Sequence, residues 1–361
     1  MTVINPWWRE RRGVPGEREL WAFVQCDGCL PPSLDHGPED RLRRAGWRFE
    51  RLDLGPHYCA SCRSSGRRRN DPRRRYPPTD RPVLPNVITV GAMRCGTTSL
   101  HRYLAHHPEI NASSPKEVNF FQGPDCLDRL SAYATFFEDG TPVRLESSVY
   151  YTWFPLVQGV PERINEALSD VKLIYLVRDP VERTLSHHLF MTSVGSEIDP
   201  FEQVLEEFDD PYNPLVAAGK YAMQLNQYIE HIPIERILVI DQDELRTHRD
   251  TMLRRVFRFL EVDEGFSSPA FELEFNARAG KRVKTSAFRA LKRSRAVPGL
   301  RRVLPQPARQ RLYAPVKRLT TRTLEHPELS DEMRVRLREV YRPDADRLRA
   351  MTGQEFASWQ I

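Results

Sequence analysis

The chain has 361 residues, 40% of them hydrophobic, with 54 Lys and Arg set against 49 Asp and Glu for a net charge of +5. That apolar content can fill a core, so a disordered chain is excluded, and the length suits one large α/β domain plus something small. The charges are too evenly matched for a dedicated nucleic-acid binder and suit a small anionic ligand; no apolar run approaches the ~20 residues of a membrane-spanning helix.

The first residues, MTVINPWWRERRG, lack the apolar stretch of a signal peptide, which gives the expectation of a soluble, cytoplasmic protein. Residues 1–18 read as a tail. Residues 19–66 carry two C-x-x-C pairs, Cys26 with Cys29 and Cys59 with Cys62, and Trp47 and Phe49 between them can form a tiny core. Four thiolates in two knuckles predict a tetrahedral structural zinc site in a small zinc-ribbon-like module, because so short a segment could hardly fold without the metal. Such a module suits docking to a partner protein, to a carrier domain or to the rest of its own chain. Residues 67–82 follow as a basic, proline-rich linker that cannot build a core.

From residue 83 onward strand and helix alternate. Short β-branched runs predict strands at NVITV (86–90), VRLES (143–147), VKLIYLV (171–177) and RILVI (236–240), with helices between them at VPERINEALS (160–169) and QLNQYIEHI (224–232). The expected fold class is α/β, a P-loop-like three-layer domain with a central parallel sheet and the small cysteine module in front of it. In such folds ligands lie beyond the carboxyl ends of the strands.

Two strand ends carry anion chemistry. After NVITV comes GAMRCGTTSL, a tight loop from Gly91 to Gly96 that opens a helix at Thr97 with Leu100 and Leu104 on one face. The glycine spacing is that of a nucleotide phosphate loop, but Thr97 stands where the lysine of G-x-x-x-x-G-K-[ST] would be. After KLIYLV comes RDPVERTLSHHLF: Arg178 at the strand end, Pro180 suited to a first helical turn, and Ser186 within reach of the same anion. Cys95, at the start of the first helix, invites the expectation of a lowered pKa and a reactive thiol. His187 and His188 read as helix residues flanking the nucleotide. Late in the chain, no Asp or Glu occurs from Lys281 to Arg322. That segment reads as solvated basic helices, a lid over an anionic cofactor, or a membrane-surface contact.

The stretches VGAMRCGTTSLHRYLAHHP, SPKEVNFF, LIYLVRDPVERTLSHH, GKYAMQLNQYI and YRPDADRLRAMTG, in that order, resemble the sulfotransferases that use 3′-phosphoadenosine 5′-phosphosulfate (PAPS), in particular the heparan-sulfate branch and its bacterial relatives. The resemblance covers roughly Val83 to Trp359. It implies PAPS as donor, an acceptor hydroxyl on a carbohydrate, a lipid-linked sugar or a small metabolite, and in-line displacement. It also accounts for the missing lysine, since the transferred SO3 unit is neutral and only charge returning to the 5′-phosphate needs stabilising, which helix N–H donors can do without a metal.

Carried over residue by residue, the resemblance places the donor on Arg94, Cys95, Gly96, Thr97, Thr98 and Ser99. Arg94, where relatives commonly have lysine, would reach the 5′-phosphate and bridging oxygen, while Arg178 and Ser186 would hold the 3′-phosphate. Glu117 would be the base, with Lys116 near the sulfuryl group, and Lys281, Arg282 and Lys284 would lie in a cofactor-covering loop. One departure stands out: the family's glutamate-lysine motif is LESSVYY here, so Ser147 occupies the lysine position, which weakens the case for a glycosaminoglycan acceptor. Glu146 and Tyr151 match the motif and could orient acceptor or base. Two alternatives are a P-loop kinase-like nucleotide enzyme and a zinc-ribbon, basic nucleic-acid-binding protein with a degenerate transferase domain.

Overall fold

The computed structural model describes residues 3–10, 18–25, 34–38, 82–194, 210–273, 282–284, 321–323 and 329–361. Cys26, Cys29, Cys59 and Cys62, the zinc site expected on them, Lys281 and most of the basic segment lie outside the described residues. In the N-terminal region β1 (Val3–Glu10), β2 (Arg18–Gln25) and β3 (Leu34–Pro38) form an antiparallel three-stranded sheet in the order β1-β2-β3.

The central sheet is parallel. Its strands are β4 (Val87–Gly91), β5 (Ile110–Ala112), β6 (Val143–Ser147), β7 (Lys172–Val177) and β8 (Ile237–Asp241), in the order β5-β6-β4-β7-β8. β4 and β8 are buried along their whole length, and β7 at all but its first residue. This is what a parallel sheet covered on both faces requires of its sequence, and it is why these strands read as unbroken apolar runs. The four expected strands are present to within a residue. β5, an added edge strand of three residues, has too short an apolar run to signal itself.

From β4 the chain builds β5 and β6 to one side and then crosses to build β7 and β8 on the other. The carboxyl ends of β4 and its neighbours therefore form the topological switch point, where a crevice opens. The helices around it are α1 (Thr97–Leu104), α2 (Leu130–Ala134), α3 (Val160–Ala167), α4 (Pro180–Val194), α5 (Pro214–Ala217), α6 (Tyr221–Ile229), α7 (Gln242–Thr247), α8 (Arg249–Leu260) and α9 (Asp331–Thr352). α8 buries Met252, Leu253, Val256, Phe257 and Leu260, the three-and-four spacing of an amphipathic helix.

α9 closes the molecule onto α6. Asp344 accepts hydrogen bonds from the backbone N–H groups of Ala222 and Met223, both at 2.9 Å, and so caps α6 from another helix. Beside it, a Cβ on Gly219 would lie 2.9 Å from the Tyr341 ring, so this close approach needs glycine. The Tyr341 hydroxyl pairs with Thr184 of α4 at 2.7 Å. Two stretches about 120 residues apart in sequence, GKYAMQ and YRPDAD, are thus one joint. The short strand β9 (Arg282–Lys284) pairs antiparallel with β10 (Thr321–Thr323) and runs beside α4, which brings the backbone of Arg282 and Lys284 to the helix that carries Ser186.

Candidate active site

The loop after β4 is shaped by its two glycines. A Cβ on Gly91 would sit 2.0 Å from Thr152 Oγ1, which donates to the Val90 carbonyl at 3.2 Å, so only glycine lets that hydroxyl lie there. Gly96, with φ +87°, is the left-handed residue just before α1. The Ala92 N–H bonds to the Leu176 carbonyl at 2.7 Å and ties the loop to β7. Cys95 N–H to the Ala92 carbonyl, 3.2 Å, and Ser99 N–H to the Gly96 carbonyl, 3.0 Å, close the turn on itself. Helix geometry leaves the N–H groups of Thr97 and Thr98 without intrahelical partners, as an anion site at a helix start requires.

Arg94 projects from this loop in the left-handed region, φ 73°. Its Nε donates to Ser186 Oγ at 3.1 Å, and its guanidinium lies 5.0 Å from the Phe190 ring centroid. Burial lowers its pKa, and the nearby Arg178 charge lowers it further. Arg178 follows β7 directly and pairs with Glu182 at 3.3 Å, while Asp179 Oδ1 accepts the Glu182 N–H at 3.0 Å and caps α4. The Arg178 charge thus acts against the Arg94 guanidinium that holds the Ser186 hydroxyl, a repulsion that a bound anion would relieve. The resemblance assigned Arg94 to the 5′-phosphate side; the structure sets its guanidinium against Ser186, the residue expected at the 3′-phosphate.

Cys95 requires a correction. Its thiol is fully buried and lies 3.5 Å from the Tyr221 hydroxyl. Burial pushes its pKa up to about 11, against the lowered value expected of a helix N-terminus. The loop turns the side chain under the sheet end, so the helix start polarises nothing that solvent or a ligand can reach. The Cys95 side chain packs into the hydrophobic core.

The second half of the site faces the loop from residues 116–122. Lys116 Nζ approaches Thr97 Oγ1 at 3.4 Å and forms an ion pair with Glu117 Oε1. Glu117 Oε2 accepts the Val149 N–H at 2.8 Å, and the Glu117 side chain is 32% exposed, open enough to meet an acceptor. A cation therefore reaches the hydroxyl at the start of α1, with a carboxylate one residue away. Ser147, which stands at the lysine position, is buried and bonds to His101 Nδ1 at 2.9 Å. Burial and then the Lys116 charge push the His101 pKa down to about 4, so this pair is neutral near pH 7.

Within α4, His187 and His188 are buried, with His187 Nδ1 3.3 Å from Arg183 Nη1; they are helix residues, as expected. Sequence reasoning missed His101, Arg183, Ser148 and Phe190. The one signal for His101 was its four-residue spacing from Thr97, which puts both on one face of α1. Among the described residues no cluster of His, Cys, Asp and Glu could hold a metal, and no helix is long and apolar enough to cross a membrane.

Comparison with known proteins gives the family and the fold. The family described as Sulfotransferase domain matches residues 84–349. The human heparan sulfate glucosamine 3-O-sulfotransferase 3B1 is 28% identical over 281 residues, spanning 76% of this chain and 64% of that protein. The bovine bifunctional heparan sulfate N-deacetylase/N-sulfotransferase 2 is 26% identical over 281 residues, spanning 73% of this chain and 31% of its own length. The chain thus spans less than two thirds of these curated relatives. In fold it resembles the crystal structure of a sulfotransferase from Alicyclobacillus acidocaldarius, with a TM-score of 0.53 and 22% identity over 77% of this chain and 99% of that one.

Proposed function

The chain belongs to the sulfotransferase domain family, and from that premise we propose that it moves a sulfuryl group from PAPS to an acceptor hydroxyl or amine by in-line displacement. The observation that carries this reading is the convergence, at one switch point, of Arg94, Arg178 and Ser186 with the start of α1 and the Lys116–Glu117 pair. The donor set suits a bisphosphorylated nucleotide: two guanidiniums and a hydroxyl for one phosphate, helix N–H groups and a lysine for the other.

In this reading Arg178 and Ser186 bind the 3′-phosphate and Arg94 stands beside them, so that its charge also reaches the 5′ side. The Thr97 and Thr98 N–H groups and Lys116 receive the negative charge that returns to the 5′-phosphate as the sulfuryl group leaves. Glu117 takes the proton of the attacking acceptor. PAPS itself supplies an activated sulfuryl group whose leaving group is a phosphate. Arg282 and Lys284, on the strand beside α4, and Lys281 next to them supply further cations to cover the nucleotide. The heparan sulfate relatives make a carbohydrate hydroxyl or amine the first acceptor to try. The four cysteines Cys26, Cys29, Cys59 and Cys62 are proposed, on their spacing alone, to hold a structural zinc, which the metal content of the purified chain and of a Cys26→Ser variant would test.

The activity test is release of 3′-phosphoadenosine 5′-phosphate (PAP) from PAPS across acceptors that include desulfated heparan, simple alcohols and phenols. Acceptor-dependent release that Glu117→Gln abolishes while PAP binding persists is the expected result. Undiminished release by Glu117→Gln would place the base elsewhere.

A further inference from the structure

The loop that carries Glu117 has an unusual backbone. Glu117 and Asn119 both lie in the left-handed region, φ 65° and 55°, which Asn tolerates but which is uncommon for a residue such as Glu117. Part of what holds the loop there is direct, since the Glu117 N–H bonds to the Ser147 carbonyl at 2.9 Å. The rest runs through two hydroxyls. Asn119 N–H donates to Ser148 Oγ at 2.9 Å, and Phe121 N–H donates to the Tyr151 hydroxyl at 3.1 Å. Both hydroxyls donate in turn to one carboxylate: Ser148 to Glu146 Oε1, and Tyr151 to Glu146 Oε2 at 3.1 Å, where Tyr133 donates as well. Glu146 is wholly buried at the end of β6.

We propose that Glu146 is the positioning residue of the catalytic loop: its carboxylate orients the Ser148 and Tyr151 hydroxyls so that their lone pairs hold the Asn119 and Phe121 N–H groups, and so fixes Glu117. This rests on Glu117 being the base. Only a carboxylate can do it well, because its two oxygens accept from three hydroxyls at once and leave each hydroxyl proton committed inward. An amide in the same place turns N–H donors toward hydroxyls whose lone pairs already serve the loop. The groups facing Glu146 are Tyr133 from α2, Tyr151 and Ser148 from the turn after β6, Glu117 from the loop itself, and Tyr228 from α6, whose hydroxyl feels the Glu146 charge. Burial pushes its pKa to about 7, with the three hydroxyls pulling it down and the Glu117 charge adding to the rise. The brace therefore changes protonation near neutral pH, and the catalytic loop with it.

Residue-resolved amide hydrogen exchange on the full chain tests this without knowledge of the acceptor. In the parent, protection at Asn119 and Phe121, corrected for intrinsic exchange, falls as pH drops below about 7. In Glu146→Gln it is at least tenfold lower across the whole range, while Ala222 and Met223, capped by Asp344, keep theirs. Ser148→Ala, a smaller change should the first variant fold poorly, loses protection at Asn119 and retains it at Phe121. In PAP release with desulfated heparan as probe, Glu146→Gln lowers kcat about tenfold, leaves the KM for PAPS unchanged and removes the pH limb near 7. Unchanged protection at Asn119 and Phe121 in folded Glu146→Gln or Ser148→Ala overturns the proposal. Because Glu117→Gln leaves these amides protected, its turnover tests the base assignment separately.

Discussion

Burial acts on Glu146 and His101 in opposite directions, and both touch the turn at the end of β6. The His101 pKa is pushed from its ordinary 6.5 down to about 4, so the stability it contributes is present above 6.5 and is lost as pH falls toward 4. The Glu146 pKa is raised from 4.5 to about 7, so its contribution is present below 4.5 and is lost as pH rises through 7. At ~1.4 kcal/mol per pH unit each change is on the order of 3–4 kcal/mol, and in the parent the two oppose each other. Denaturant unfolding of parent, His101→Gln and Glu146→Gln from pH 4.5 to 7.5 should therefore give variant curves that tilt away from the parent with opposite slopes. Parallel curves would mean that neither group is held as described. Little of this pairing was legible in the sequence, because the His101–Ser147 contact joins residues 46 apart and shares no motif. Arg178 was legible because it directly follows β7 and Ser186 because it lies within two turns of the start of the next helix, whereas Lys116 and Glu117 neither follow a strand directly nor open a helix and were visible only through the resemblance. Cys95 was misread for the converse reason: its position in the chain predicts exposure at a helix start, and only the fold of the loop turns the thiol inward beneath Tyr221.

Among the elements, the joint between α6 and α9 holds the far side of the sheet. Asp344 satisfies two N–H groups at the start of α6 that have no other side-chain cap, and Tyr341 fills the space that Gly219 leaves open. Asp344→Ala should cost about 1–2 kcal/mol, as loss of a helix N-cap does, read as a lower urea midpoint with an unchanged m-value. A midpoint equal to the parent's would show that water replaces the cap at no cost. The strands of the central sheet were readable to within a residue because both faces are buried, which forces an apolar run. β5 was not, since an edge strand of three residues carries no such constraint. The stretches GKYAMQ and YRPDAD were visible as a resemblance, but their physical meaning, a glycine and a carboxylate meeting across two helices, exists only in three dimensions.

At the scale of the whole molecule, the order β5-β6-β4-β7-β8 gives the loops after β4 and β7 a common crevice, and the side chains there are cationic. In the proposed function that convergence, with a threonine in place of a phosphate-loop lysine, serves a 3′-phosphorylated nucleotide in preference to a nucleoside triphosphate held through magnesium. The most direct test is calorimetric titration of the chain with PAP, with ADP and with ATP plus magnesium, repeated on Arg178→Ala. PAP is expected to bind most tightly and without metal, and Arg178→Ala to lose ~1.5–3 kcal/mol for PAP, the range of a charged hydrogen bond, with far less loss for ADP. Tighter binding of ATP with magnesium, or equal losses for PAP and ADP, would contradict the proposed function.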